Sequence, residues 1–209
     1  ASIGVCLETL LSGISLTEEK RQELIERCYA HNERLRRLLN EVSLITRMED
    51  GSALIGKEKV LINDMVEEIA DELEIMSEEE RLTLHTCFEE QVVIEGNLSL
   101  IASIFRNLTE NAIAYSGGKN IFISLIENNE YECRIRFEDD GRGVEQEQLP
   151  RLFERFYRVD KGRSRQMGGT GLGLSIVKHA VQFHGGSISV TNRPDGGLRF
   201  DFSLKKGGV

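Results

Sequence analysis

Hydrophobic positions repeat with one period in the first quarter of the chain and another in the rest. Over residues 17–50, Leu24, Cys28, His31, Leu35, Leu38, Val42 and Ile45 recur at alternating steps of four and three. That is the seam of a long helix packing against other helices. Residues 1–11 also read as helix, and Ser12, Gly13 and Ser15 interrupt it before Thr17, which caps the next helix ahead of an acidic first turn. Two antiparallel helices on a short loop form a hairpin. A hairpin alone leaves apolar faces open, so pairing two of them into a dimeric four-helix bundle is the expected completion.

After Gly51 the runs shorten and alternate. Strands are predicted at 81–86, 92–95, 120–127, 131–139, 187–191 and 198–204, with Asn128-Asn129 and Asp195-Gly196 as hairpin turns. Helices are predicted at 64–76, 98–115 and 172–184. A sheet with helices on one face, an α/β sandwich, satisfies that order. The expected organisation is a helical hairpin over 1–50, a linker over 51–58 and the α/β domain over 59–206.

With 40% hydrophobic and 29% charged residues and only two prolines, the chain has the composition of a folded protein. A net charge of -9 repels the phosphates of nucleic acid, which is therefore not an expected partner. Cys6, Cys28, Cys87 and Cys133 form no CxxC pair and read as buried thiols of a reducing, cytoplasmic compartment. No apolar run approaches the ~18 residues of a membrane span. The chain opens at Ala1 inside an amphipathic pattern, as a piece of a longer protein would, so this bears only on the piece.

Four features follow one another within about eighty residues. In NLTENA (107–112), Asn107, Glu110 and Asn111 are three and four apart on one side of a helix, an oxygen-rich group suited to Mg²⁺ shared with phosphates. In DDGRGV (139–144), Asp139 leaves a strand into Gly141 and Gly143. Its carboxylate can accept from an exocyclic amine while the glycines let backbone approach a flat ring. In LPRLFERFYRVDKGRSRQ (149–166), Arg151, Arg155, Arg158, Lys161, Arg163 and Arg165 face only Glu154 and Asp160. Beside a nucleotide this would be a basic lid, with Phe153 and Phe156 anchoring its base. In GGTGLGLSIVKHA (168–180), Gly169, Thr170, Gly171, Leu172 and Gly173 lead into an apolar helix whose first N–H groups can meet phosphate oxygens. The GK[ST] ending of a P-loop is missing, and the glycines come too late for a Rossmann first turn. A polar helix face, a strand-to-loop turn, a solvated basic loop and a glycine-capped helix would explain each feature singly; their order is what carries weight.

In that order they resemble the N box, first glycine box, F box and second glycine box of sensor histidine kinases, within the histidine kinase, gyrase and Hsp90 superfamily. LLNEVSLITRMEDG (38–51) looks like the close of the family's dimerisation and phosphotransfer hairpin. The resemblance implies ATP and Mg²⁺ as ligands. It implies Asn111 on the metal with Asn107 in support, Tyr115 along the nucleotide and Asp139 on the adenine amine. Gly141 and Gly143 would shape the base pocket, Gly169, Gly171 and Gly173 would border the triphosphate, and Arg155, Arg158 and Lys161 would serve the lid. It further implies a homodimer, a response-regulator receiver domain as partner, and a parent protein anchored in the bacterial inner membrane. Hydrolytic members of the superfamily carry a base four residues before the metal-binding asparagine. Here that position is Asn107, which disfavours hydrolysis over transfer to histidine.

There are two departures. Ala114 replaces the basic residue often found before Tyr115, and the family's phosphoacceptor box is missing, which places the acceptor a few residues upstream of Ala1. His31, His85, His179 and His184 lack its acidic neighbour, so the chain alone is expected not to phosphorylate itself. Two other readings stay open: a degenerate kinase serving as a dimeric binding module, motivated by Ala114, and a gyrase-like or chaperone ATPase, weakened by Asn107 and by the seam helix.

Overall fold

Ile3–Leu11 and Glu18–Glu49 form helices α1 and α2 in the computed structural model, which describes residues 3–49, 56–75, 82–159 and 170–207. The chain divides into two units, Ala1–Leu44 and Ile45–Val209. Within the first, Thr17 Oγ1 accepts the Lys20 N–H at 3.3 Å, as the predicted cap requires, and Glu18 and Glu19 sit where the helix dipole favours anions. Buried Cys6 of α1 and the half-buried Cys28 of α2 mark where the helices meet, the Cys28 thiol lying 3.9 Å from the Ile3 carbonyl. Further along α2 the seam turns outward: Leu35 is 49% and Val42 45% exposed. No described helix is long and apolar enough to cross a membrane.

The second unit continues with β1 (Glu58–Leu61), α3 (Ile62–Ile75), β2 (Thr83–Cys87), β3 (Val93–Gly96) and α4 (Leu98–Asn111). A π turn (Ala112–Ser116), β4 (Asn120–Asn128), β5 (Glu132–Asp139) and a 3-10 turn (Gln146–Arg151) come next, then α5 (Gly173–Phe183), β6 (Ile188–Asn192) and β7 (Leu198–Lys205). Five strands form one sheet in the order β2-β4-β5-β7-β6, with β2 parallel to β4 and every other pair antiparallel. β1 and β3 pair antiparallel as a separate ribbon.

Strand alternation makes the core. Cys133, Ile135 and Phe137 of β5 are buried, as are Ile121 and Ile123 of β4 and Phe200, Phe202 and Leu204 of β7. Against them pack the apolar stripes of α4 (Leu100, Ile101, Ile104, Phe105, Leu108) and α5 (Ile176, Val177, Ala180, Val181). Phe105 meets Phe202 edge-on at 5.8 Å between ring centroids. Asn97 caps α4 by accepting the Leu100 N–H at 3.0 Å, and its own N–H donates to His184 Nε2 at 3.0 Å, just past the end of α5. α4 and α5 therefore run antiparallel, latched at the end away from the glycine segments.

The structure departs from the predicted elements in three places. β1 is a strand although four residues with a single buried position, Val60, show no readable period. The helix predicted over 98–115 is α-helical only to Asn111 and closes as a π turn, at whose end the Ser116 carbonyl accepts the Arg142 N–H at 3.0 Å. The cysteines are not uniformly buried: Cys133 is, with its thiol pushed up to about 11 by burial, whereas Cys28 is half-buried and Cys87, ending an edge strand, is exposed.

Candidate functional site

Period-two alternation along β5 carries the buried row Cys133, Ile135, Phe137 one step further, to Asp139, which is 4% exposed. A carboxylate in a core row costs desolvation unless something compensates. Burial raises its pKa above the ordinary value. Backbone N–H donors on Gly141 (2.9 Å) and Leu198 and the charge of Arg193 pull the other way. Its neighbour has a different fate. The Asp140 carboxylate accepts the N–H groups of Lys119 and Asn120, each at 2.8 Å, and the Asn120 amide at 2.6 Å. Burial would push Asp140 up, but these donors outweigh it and hold it below the ordinary value. Asp140 is spent on the fold, whereas Asp139 is the buried member of the pair.

The π turn carrying half-buried Tyr115 abuts this loop. Gly141 lies so close to Ser116 that a Cβ there would collide with the Ser116 carbonyl. One turn back on α4, Asn107 donates from Nδ2 to the Ser103 carbonyl at 2.8 Å. A Cβ on Gly173 would lie 2.7 Å from Asn107 Oδ1, so α4 meets the start of α5 at that pair. The Asn111 amide nitrogen is buried with no partner, as is Thr109 Oγ1, whereas Glu110 is exposed. Glu110 thus parts from the two asparagines that the spacing grouped with it.

At α5, Leu172 is the N-cap and makes no side-chain capping bond, so the first-turn N–H groups keep their donor capacity. Thr170 Oγ1 accepts the Leu172 N–H at 3.2 Å, and Gly171 stands at φ +77° with a would-be Cβ 3.0 Å from Phe156 Cα. Phe156 donates its N–H to the Gly171 carbonyl at 2.8 Å. Of the two predicted anchors, Phe153 packs edge-on to Phe200 at 6.4 Å, but Phe156 does not pack: its ring is 62% exposed and its φ is +63°. The Gly171 contact holds its backbone in a conformation that leaves the ring outside. Arg151 is bound to Glu154 at 3.3 Å and lies 4.2 Å over the Tyr157 ring, while Arg155 Nη2 reaches His179 Nε2 at 2.9 Å. Arg158 is half-buried nearby in sequence. Lys161 and Gly169, with the rest of 160–169, lie outside the described residues.

The structure therefore brings three of the four predicted segments to the C-terminal end of α4: the first glycine segment at Ser116, the second at Asn107, and the Phe segment through Gly171. Sequence reading missed Ser116, Thr109, Asn192, Arg193 and the Arg155–His179 contact. Only the asparagine at the end of β6 carried any local signal, and no periodicity exposes it.

Residues 96–208 match the family described as histidine kinase-, DNA gyrase B-, and HSP90-like ATPase. The chain is 31% identical over 204 residues to the sensor-like histidine kinase SenX3 of Mycolicibacterium smegmatis, covering 97% of this chain and 53% of that protein. It is 32% identical over 189 residues to the sensor protein kinase WalK of Staphylococcus aureus, covering 90% and 45%. It thus spans about half the length of these relatives. Among solved structures, Acinetobacter baumannii histidine kinase AdeS superposes with a TM-score of 0.76 at 19% identity, over 99% of this chain and 94% of that one. Full-length ShkA in complex with AMPPNP superposes with 0.74 at 21%, over 98% and 42%.

Proposed function

Since the chain belongs to the sensor histidine kinases, in the family of histidine kinase-, DNA gyrase B- and HSP90-like ATPases, we propose that it is a kinase core that binds Mg-ATP and sends the γ-phosphoryl group to a histidine of its helical hairpin, upstream of Ala1, for relay to a response-regulator aspartate. The observation that carries this reading is the buried Asp139 carboxylate in the core row of β5, on a loop that meets the π turn closing α4, the helix whose Asn107 in turn meets the donor-rich start of α5. Asp139 accepts from the adenine amine, with Gly141 and Gly143 on the ring and Tyr115 alongside. The first-turn N–H groups of α5 and the border made by Thr170, Gly171, Leu172 and Gly173 receive phosphate oxygens. Arg155 and Arg158 add cationic charge on the lid side, Phe153 fixes the base of that segment, and Lys161 and Gly169 keep the lid and phosphate roles the resemblance implies.

The residues present fit a magnesium ion shared with phosphates. No group of three or more metal-binding side chains exists among the described residues, which argues against a protein-only cage. Asn111, whose amide nitrogen is buried without a protein partner, would offer its side-chain oxygen to the metal. Asn107, its nitrogen already donated to Ser103, turns its oxygen toward the start of α5 in support. When bound, a magnesium ion held by Asn111 would neutralise charge on the phosphates. A neutral imidazole nitrogen then forms a bond to the γ-phosphorus, the bond to the β–γ bridging oxygen breaks, ADP leaves, and the ring proton passes to solvent or a base. Asn107 cannot act as a base toward water, so hydrolysis is slow.

The seam residues Leu35 and Val42, exposed beside Leu39, support a dimer, and the hairpin is also the surface on which a receiver domain docks. Calorimetry with and without Mg²⁺ tests the site: Asn111→Ala should lose the metal-dependent part of ATP affinity, about tenfold on the scale of one charge-assisted contact. Incubation with γ-labelled ATP should label a chain extended upstream by about a dozen residues and leave this chain at background. Strong label on His31, His85, His179 or His184 would overturn the upstream acceptor, and no ATP binding at all would overturn the kinase reading.

A further inference from the structure

The hairpin between β6 and β7 grips the Asp139 loop at several points. Asn192, the last residue of β6, donates from Nδ2 to the Val144 carbonyl at 2.7 Å and accepts the Val144 N–H on Oδ1 at 3.0 Å. Both halves of one amide are used on one residue, as a neighbouring strand would use its backbone, across 48 positions of sequence. Gly143, at φ +66°, leaves room for it, since a Cβ there would lie 2.5 Å from Asn192 Oδ1. Arg193 donates from Nη1 to the Asp139 carbonyl at 2.9 Å. Its guanidinium is fixed in turn by the Glu138 carboxylate at 3.2 Å and by the face of Phe122, 5.0 Å to the ring centroid. Gly197, at φ +93°, packs directly on the Asp139 carbonyl, where a Cβ would collide, and the Leu198 N–H reaches the Asp139 carboxylate.

We propose that this hairpin, through Asn192 and Arg193, sets nucleotide specificity: it holds Asp139 and the Gly141–Gly143 loop at the spacing that accepts an adenine amine and rejects the carbonyl oxygen that guanine presents in its place. The inference rests on the nucleotide reading above and deepens it. Selectivity of this kind needs an acceptor held to within about 0.5 Å, because a loosened carboxylate loses the directional bond to adenine and no longer meets the guanine oxygen at close range. Asn192 and Arg193 act through Val144 and Asp139 and are positioning residues. Bonding within the Asp139 loop alone cannot do this, since Gly141 and Gly143 leave its backbone freer than any side-chain-bearing residues would.

The test is the ratio of ATP to GTP dissociation constants, measured by calorimetry on Asn192→Ala, Arg193→Met, Asp139→Ala and Arg136→Ala, each with its thermal midpoint. Arg193→Met keeps an apolar stem over Phe122 while losing the bond to Asp139. Arg136, three residues before Asp139 on β5, pairs with Asp201 of β7 at 2.7 Å rather than with the loop, so its variant reports the loss of a sheet ion pair. Asn192→Ala and Arg193→Met should each weaken ATP about tenfold, as the loss of one or two positioning hydrogen bonds would, and GTP much less, so that the ratio rises. Arg136→Ala should leave the ratio unchanged. Equal loss for both nucleotides, or no loss, in whichever hairpin variant folds overturns the proposal. If Asp139→Ala itself leaves the ratio untouched, the base-recognition reading fails instead.

Discussion

The two glycine segments, proposed to serve one nucleotide site, are built in opposite ways. Around Asp139 nearly every polar group is committed: Asp140 to Asn120 and Lys119, Val144 to Asn192, the Asp139 carbonyl to Arg193, and Ser116 to Arg142. Around Gly171 the helix start has no side-chain cap, Phe156 stands exposed at positive φ, and Arg155 reaches His179. A flat base is told apart by fixed donors and acceptors, whereas phosphates that enter, react and leave need donors kept open. On the proposed reading, bonding is concentrated where the base would be selected and sparse where phosphates would enter and leave.

The largest effect should separate the two sides by stability. Gly141→Ala or Gly197→Ala drives a Cβ into backbone carbonyls of Ser116 or Asp139, and each should lower unfolding free energy by several kcal/mol, roughly the overpacking range and beyond. Gly173→Ala meets only the Asn107 amide, a side chain that can turn, and should lose far less stability while weakening nucleotide binding. Chemical denaturation of the three variants checks the contrast, and equal losses would break it.

Next in size is Asp139→Ala. It should weaken ATP about 100-fold, as expected when a buried charge-assisted hydrogen bond is lost, yet leave the thermal midpoint unchanged or higher, because a carboxylate that burial penalises has gone. Calorimetry and thermal melts on one preparation read both. A large drop in midpoint would mean that Asp139 is structural after all.

On the Gly171 side, Phe156→Gly should stabilise the chain slightly, by up to about 1 kcal/mol, since a non-glycine residue at positive φ stores strain and this residue is mostly exposed. Differential scanning fluorimetry resolves the shift. A clear loss of stability would show the exposed ring to be packed in solution.

The smallest effect concerns the latch at the far ends of α4 and α5. His184 carries its proton on Nδ1, donating to the Ala180 carbonyl at 2.7 Å, so Nε2 can accept from Asn97. Burial holds its pKa below the ordinary 6.5, with the charge of Lys57 acting in the same direction against the Ala180 bond. The unfolded chain therefore takes up this proton more readily than the folded one, and stability falls as pH drops through 6.5 toward the folded value. His184→Gln should flatten that slope in melts from pH 7.5 to 5.5. An unchanged slope would remove the latch from the account.

Much of this was legible in local pattern. The alternation of β5 alone puts Asp139 in a core row, Thr17 announces the start of α2, and the stripes of α4 and α5 identify helices because their period is a property of neighbouring residues. The choice of Asp139 over Asp140 was also readable, since only one of two adjacent residues can face inward on a strand. What spacing could not separate was Glu110 from Asn107 and Asn111. Residues three and four apart share a helix side, and whether one is buried depends on what covers it.

The sequence by itself therefore determined the hairpin, the order of strands and helices, the core row that ends in a carboxylate and the glycines where backbones approach, because each is written in positions a few residues apart. Only the tertiary structure decided that the last turn of α4 opens into a π turn, that β1 finds β3, that Phe156 faces outward, and that Asn192 and Arg193 hold the Asp139 loop. Those outcomes hang on bonds such as Asn192 to Val144 and Arg193 to Asp139, 48 and 54 residues apart. Such partners leave no mark on local periodicity, because their meeting is fixed by how the sheet closes.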